Sequence, residues 1–286
     1  MTWLILAQLV NGLAIGMIYA LMAFGLSIIK GLLNIPNFAH GAFYALGAYL
    51  CYSLIKAGVP FPLALVLAGA GSAAVGLFFD RLVLRRVKDG DYLPQLIILF
   101  GVALVIEQCL LIGWGTIGLS AAPPPLLSGA VDLGFTLVPR YILFASLFSA
   151  LVISAVWLLI ERTRLGAMIR AGIDKPHMAQ ALGINVDLLL AFGMALGTGL
   201  AGLAGALALP LMGATSTMGG DMTALAFVVL VIGGLGSLYG AIVAGVLVGI
   251  VQSLMTVIAP SASTVVIYVA MIAILLIRPQ GLLGER

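Results

Sequence analysis

The sequence predicts an all-α, polytopic integral membrane protein of about eight or nine transmembrane helices, some of them broken or re-entrant. Three observations carry that expectation. Of 286 residues, 63% are hydrophobic and 8% charged, whereas a soluble domain is about 45–50% apolar and about 25% charged. Apolar stretches long enough to cross a hydrocarbon core about 30 Å thick recur from Leu4 to Ile277. These runs are apolar on every face, without the alternation that closed β-barrel strands require, so a barrel is excluded. A net charge of +3 with no basic arm or acidic tail also gives nucleic-acid binding nothing to work with.

Charges and helix breakers divide the chain into candidate spans at 4–29, 38–56, 61–84, 93–114, 139–160, 187–212, 222–234, 238–259 and 262–277. The first has no basic leader and is too long for a secretory signal core, so it reads as a retained helix. The seventh is short enough to be a half-helix, ending at Gly233-Gly234-Leu235-Gly236-Ser237, which leaves eight full spans or nine. Basic residues gather in two connections, Arg81, Arg85, Arg86 and Lys88 in one and Arg162, Arg164, Arg170 and Lys175 in the other. The preference of Lys and Arg for the cytoplasmic side puts both connections there, with Lys30 and the tail carrying Arg278 and Arg286. Val59-Pro60, 115–138 and 213–221 then fall outside, carrying few basic residues, chiefly Lys56 and Arg140. Nine crossings place the N-terminus outside; eight place it inside. The stretch Gly115 to Pro139, with Pro123-Pro124-Pro125 and a run from Val131 to Val138 too short to span, is a surface excursion. It either packs on the outer mouth of a passage or simply joins two helices.

The 36 glycines need a reason, since Gly costs about 1 kcal/mol relative to Ala in a soluble helix. In membranes small residues let helix backbones approach, and Gly12/Gly16, Gly193/Gly197, Gly236/Gly240 and Gly245/Gly249 have the required spacing, with Gly193, Gly197, Ala201 and Gly205 continuing as a stripe. Cys51 and Cys109 lie in apolar stretches without metal-ligand spacing and read as small buried hydrophobes.

Two segments interrupt the apolar pattern. In Gly31 to Gly41, Pro36 lacks an N–H and disfavours helix at Ile35, so the backbone breaks and its polar groups need partners, which Asn34, Asn37 and His40 can supply. This is either a tight polar turn at the membrane surface or a broken helix lining a cavity. Gly233 to Tyr239 is its mirror candidate, suggesting an internal repeat around a central path. The other interruption runs from Glu161 to Asn185. Asp174 can cap a short helix begun by Pro176, Gly183 is placed to end it, and Met178, Ala181 and Leu182 form an apolar patch beside basic residues. A docking surface for a soluble partner and an ordinary positive-inside loop both fit.

Within the spans, Glu107 next to Gln108 is an intramembrane carboxylate and so a functional candidate, or a structural hydrogen-bond acceptor near the interface. Tyr44, Thr198, Thr215, Ser216 and Thr217 have hydroxyls for a passing zwitterion, although Ser and Thr also bond their own helix carbonyls. Asp187 and Asp221 sit at span ends, where solvent explains them. No GxxxxGK followed by Ser or Thr occurs, so ATP is not cradled by that route, and His40 and His177 have no ligand cluster or catalytic triad beside them. The expectation is a chain that is not an enzyme, binds no metal or cofactor, and draws energy from elsewhere.

Asn37-Phe38-Ala39-His40-Gly41, followed by Arg164-x-Gly166-x-x-x-Arg170-Ala171, Ala181-x-Gly183-Ile184-Asn185 and Gly233-Gly234-Leu235-Gly236-Ser237, closely resembles the LivH-type permease of branched-chain amino acid ATP-binding cassette importers. The likeness runs from Asn11-Gly12 to Pro279-x-Gly281. It implies that 1–286 is one transmembrane permease domain in a bacterial inner membrane, with a cytoplasmic coupling loop at 161–186 formed around Arg164, Gly166, Arg170, Ala171, Met178, Ala181, Leu182 and Gly183. It implies as partners a homologous, LivM-like second permease, two cytoplasmic ATPase subunits that bind the ATP, a periplasmic solute-binding protein and membrane lipid. Candidates for the substrate path are Asn37, His40, Tyr44, Glu107, Thr198, Gly234, Gly236 and Ser237. Where the family often has a polar or acidic residue after Ala-His-Gly, this chain has Ala42. By resemblance the solutes are branched-chain or other small hydrophobic amino acids, with amides, urea or aromatic acids moved by relatives. An ion-coupled transporter working alone through Glu107, and a passive channel, are the readings from other classes.

Overall fold

The computed structural model describes every residue except 1, 34, 35, 88–91, 133, 135, 285 and 286. Asn34, Lys88 and Arg286 therefore lie outside the described residues, as does the side chain of Asp174. The elements run α1 (Thr2–Leu33), α2 (His40–Lys56), α3 (Phe61–Phe79), a π-helical turn (Asp80–Leu84), α4 (Arg85–Val87), α5 (Tyr92–Trp114), β1 (Ala130–Asp132), β2 (Leu137–Pro139), α6 (Arg140–Arg162), α7 (Arg164–Asp174), α8 (Pro176–Ala181), α9 (Val186–Met212), α10 (Met218–Gly233), α11 (Leu238–Ile258) and α12 (Ser263–Ile277).

All nine expected spans are helical. Among the described residues seven helical stretches are long and apolar enough to cross a membrane, α12 among them when the helical turn from Pro260 that leads into it is counted; α2 and α10, at 17 and 16 residues, fall outside that set. The span expected from 222 starts earlier, at Met218, because Gly219 and Gly220 are wound into the first turn of α10. The first helix runs past 29, so Lys30 lies in its last turn and not in a connection.

Close backbone contacts fix how the helices run. An added Cβ on Gly12 would stand 2.7 Å from the Cα of Ile250, one on Gly16 2.8 Å from that of Val246, and one on Gly245 2.5 Å from that of Ala20. Helices α1 and α11 are therefore antiparallel and in backbone contact, as the small-residue spacing requires. The start of α11 lies beside Glu161 and Arg170, so the start of α1 belongs to the opposite face. At the centre, α9 takes α1 along Gly193 and Gly197, α2 along Gly202 and Gly205, and α3 along Thr198 and Gly199. Phe24, Leu21, Tyr44, Tyr49 and Met194 are sealed in this core, and the buried Tyr141 of α6 donates to the Leu207 carbonyl at 2.8 Å.

The excursion after α5 holds a hairpin, β1 antiparallel to β2 with Val131 opposite Val138, which departs from a purely helical chain. Here the Val131–Val138 run turns at Asp132 to Gly134, where Asp132 Oδ1 accepts from the Gly134 N–H at 2.8 Å. Leu119 and Ala214 exchange backbone hydrogen bonds of 2.8 and 2.7 Å. The excursion is thus packed on the α9–α10 turn as well as joining helices. At the other face the π-turn leaves Asp80 buried, with Arg85 Nε 3.3 Å from its Oδ2 and Arg85 Nη2 donating to the Asp187 carbonyl at 3.2 Å. That arginine ties the end of α3 to the first turn of α9.

Gly202 tests this account. Gly202→Val drives a side chain into Ser72 of α3, and we expect loss of the folded chain in detergent by size exclusion and thermal unfolding. Gly101→Ala, with open space around the added Cβ, leaves the melting temperature unchanged or raised.

Candidate functional site

The residue types of 36–41 set where α2 begins. Pro36 cannot continue a helix, Asn37 Oδ1 accepts from the Ala39 N–H at 3.0 Å, and the Asn37 carbonyl accepts from the His40 N–H at 3.1 Å. Helix α10 starts alongside, its Met218 N–H bonded to the Thr215 carbonyl at 3.2 Å. One hydroxyl pins the two starts together: Thr223 Oγ1 accepts from the Gly41 N–H at 3.1 Å and donates to the Gly219 carbonyl at 2.8 Å. A Cβ on Gly41 would run into Gly219 and Thr223, so glycine is needed for this approach. The Phe38 and Phe227 rings stack at 4.7 Å.

These two starts and the middle of α5 enclose a cavity of about 320 Å³, lined by Phe38, Ala42, Ala45, Phe100, Ala103, Leu104, Glu107, Leu110, Ser216, Gly219, Gly220, Thr223, Ala224 and Phe227. Its walls are apolar and Glu107 is its one charged group. Among the described residues Glu107 makes no ion pair or hydrogen bond. The segment 31–41 therefore contributes a cavity wall, with Phe38 as the residue that faces it.

The other path candidates on α2 and α9 point elsewhere. Asn37 is buried with Nδ2 3.9 Å from the Met194 sulfur. His40 is fully buried with Nε2 2.9 Å from the Met22 carbonyl, and its Nδ1 has no hydrogen-bond partner among the described residues. Tyr44 is sealed against α9, and Thr198 Oγ1 donates to the Met194 carbonyl of its own helix at 2.8 Å. These four form the seam between α1, α2, α3 and α9 and do not line the cavity. Sequence reasoning missed Phe100, Thr223 and Phe227; the Gly219-Gly220 pair after Thr215-Ser216-Thr217 was the available signal of a helix start.

Gly234, Gly236 and Ser237 sit at the other end of α10. Gly234, at φ 108°, ends α10, and Ser237 Oγ accepts from the Gly240 N–H at 3.0 Å to begin α11. This turn joins Glu161, Arg170, Tyr239 and Leu283 around a cleft of about 710 Å³. It is therefore a neighbour of the basic loop, and not a second wall opposite 31–41, because α10 lines the cavity only as far as Phe227 and runs on to Gly233 before it turns. The tail closes the cleft, Leu282 and Leu283 donating backbone bonds to the Ile232 and Gly233 carbonyls at 2.8 and 3.0 Å.

The basic loop is built of two short helices. Thr163 Oγ1 caps α7 at the Gly166 N–H, 3.4 Å away, and Gly166 packs on the Ile160 carbonyl where no side chain fits. Arg170 donates to that same carbonyl at 2.7 Å and stands 3.7 Å from Glu161. Gly183, at φ 82°, ends the turn after α8. Arg164, Ala171, Met178, Ala181 and Leu182 are exposed, Leu182 at 80%.

Because Thr223 holds both helix starts, Thr223→Val should lower stability by about 1–3 kcal/mol, read as denaturant-induced loss of the fold, while Thr223→Ser retains it. A model of the family described as "Branched-chain amino acid transport system / permease component" matches residues 8–275. The chain is 30% identical to the high-affinity branched-chain amino acid transport system permease protein LivH of Escherichia coli K12, over 98% of this chain and 96% of that one. It is 31% identical, with the same coverage, to the permease protein BraD of Pseudomonas aeruginosa. It is 32% identical to a probable branched-chain amino acid transport permease protein LivH of Methanocaldococcus jannaschii, over 92% and 88%. No solved structure matches the chain. A match that takes in both helix starts, the basic loop and the α10–α11 turn shows that the chain belongs to the family of branched-chain amino acid transport permease components.

Proposed function

We propose that the chain is the membrane-spanning permease subunit of an ATP-driven importer for branched-chain or other small hydrophobic amino acids, in a bacterial plasma membrane. The observation that carries this is the division of labour between its two faces. On one face α7 exposes Arg164 and Arg170, α8 and the turn after it expose Met178, Ala181 and Leu182, and Arg170 lines the cleft of the α10–α11 turn. On the other, the Leu119–Ala214 bridge joins the segments that follow α5 and α9, and the hairpin leads into α6. The names of its relatives supply the solute class.

In this reading α7 and α8 dock on cytoplasmic ATPase subunits, which bind the ATP. A homologous second permease completes the passage, and a solute-binding protein delivers the amino acid to the hairpin face. Closure of the ATPase pair pushes on α7; Arg170 passes the push to the end of α6 through Ile160, and Arg85 holds α3 to α9 so that they move together. ATP binding then shifts the population between inward-open and outward-open states by the difference in its affinity for the two.

The test is co-purification and uptake. Expressed with its partner subunits, the chain should carry an ATPase through purification and move L-leucine only with ATP. Arg170→Glu, which loses the bond to Ile160, and Gly183→Pro, which cannot adopt φ 82°, should insert normally yet lose ATPase association, cutting uptake about tenfold or more. Normal association in both variants overturns the docking role, and uptake driven by an ion gradient without ATP overturns the importer reading.

A further inference from the structure

The cavity between the starts of α2 and α10 holds a chemical mismatch. Glu107 is the one charged residue of α5, and a carboxylate at that depth is retained only where it is protonated, paired or wetted. No cation of the described protein meets it. It stands on a boundary, for Glu107, Leu104 and Ser216 line both the cavity and an adjoining, more open space of about 580 Å³ that Gln108 and Thr217 also line. The carboxylate is thus at the cavity's mouth, where a solute arriving from that space passes it first.

Beyond the mouth the chemistry changes. Phe38 stacked on Phe227, with Phe100, Ala42 and Leu110, gives a wall without free donors, and Thr223 spends its hydroxyl on Gly41 and Gly219. A volume of about 320 Å³ lies at the small end of ligand sites. A sugar would leave its hydroxyls unpaired against these rings, and an anion would meet Glu107 with like charge. A small primary ammonium bearing a compact hydrocarbon group satisfies both ends at once.

We propose that Glu107 receives the α-ammonium of the amino acid in transit while the hydrocarbon side chain of the solute lies against Phe38, Phe100 and Phe227 and its α-carboxylate stays in the open space among Gln108, Ser216 and Thr217, making Glu107 the specificity-determining residue of this passage. The proposal deepens the transport reading and rests on it. The ammonium exchanges hydration for a charge-assisted hydrogen bond, and a single such contact is weak enough to release the solute onward.

The experiment uses the assembled importer in lipid nanodiscs, with Cys109→Ser and Ala224→Cys placing a thiol on the exposed cavity wall. Millimolar L-leucine should slow maleimide labelling of Ala224→Cys about tenfold, whereas 4-methylpentanoate, the same skeleton without its ammonium, should leave the rate unchanged. Adding Glu107→Gln should abolish protection, read as the ratio of labelling rates with and without L-leucine within that variant, because removing a carboxylate beside the thiol changes its reactivity by itself; Glu107→Asp should keep most of the protection. Uptake should fall about tenfold or more in Glu107→Gln while the ATPase subunits still co-purify. Full protection in Glu107→Gln, equal protection by 4-methylpentanoate, or none by L-leucine overturns the proposal. ATP-independent uptake with intact protection would instead overturn the importer reading and leave the site standing.

Discussion

Backbone-to-backbone packing on α9 is the constraint from which the rest follows. Leu32 and Ile29 of α1, Gly47 and the Tyr44 carbonyl of α2, and Gly76 and Ala73 of α3 all approach its small residues within contact distance. In a bilayer there is no hydrophobic gain from helix association, so close fit and interhelical hydrogen bonds must supply the attraction. A single added methyl group at several of these positions meets a main chain that has nowhere to go, which sets the helices' spacing to within a fraction of an ångström.

The cavity is a by-product of that spacing. With α2 held by its Tyr44–Gly47 face, its first turn is left to meet α10, and the Thr223 hydroxyl joins the two. The N–H groups of Ala39, His40 and Gly41 at the start of α2 are then satisfied inside protein, the condition under which irregular backbone is tolerated at membrane depth. Short α2 and α10 are therefore consequences of where they start. The broken backbone and the aromatic stack between Phe38 and Phe227 are parts of one joint.

What the sequence made legible was whatever depends on one-dimensional pattern. Apolar length gave the spans, and glycine spacing marked the close-packed faces of α1 and α11 without saying that they meet each other. Facing was not legible. Asn37, Phe38 and His40 lie within one turn, and nothing in their order says that His40 turns to Met22 of α1 while Phe38 turns to the cavity; that depends on which helix occupies each side. The place of Gly234 to Ser237 was hidden for a related reason. A Gly-rich break between apolar runs looks the same at mid-depth and at a membrane face, and only the length of α10 decides. The β1–β2 hairpin was missed because its turn is made by Asp132 and Gly134 within an apolar run, whereas Glu107, a lone charge in α5, was visible at once.

The tail has a practical meaning for handling this protein. Leu282 and Leu283 continue the hydrogen bonding at the end of α10, and a Cβ on Gly281 would stand 2.6 Å from the Gly234 nitrogen. The last described residues are therefore part of the α10–α11 corner and not a free strand. An affinity tag or fluorescent fusion joined directly after Leu283 would load that corner and crowd the wall of the cleft beside Arg170. The same tag at the start of α1, on the far face of the molecule, would leave both the corner and the basic loop as they are.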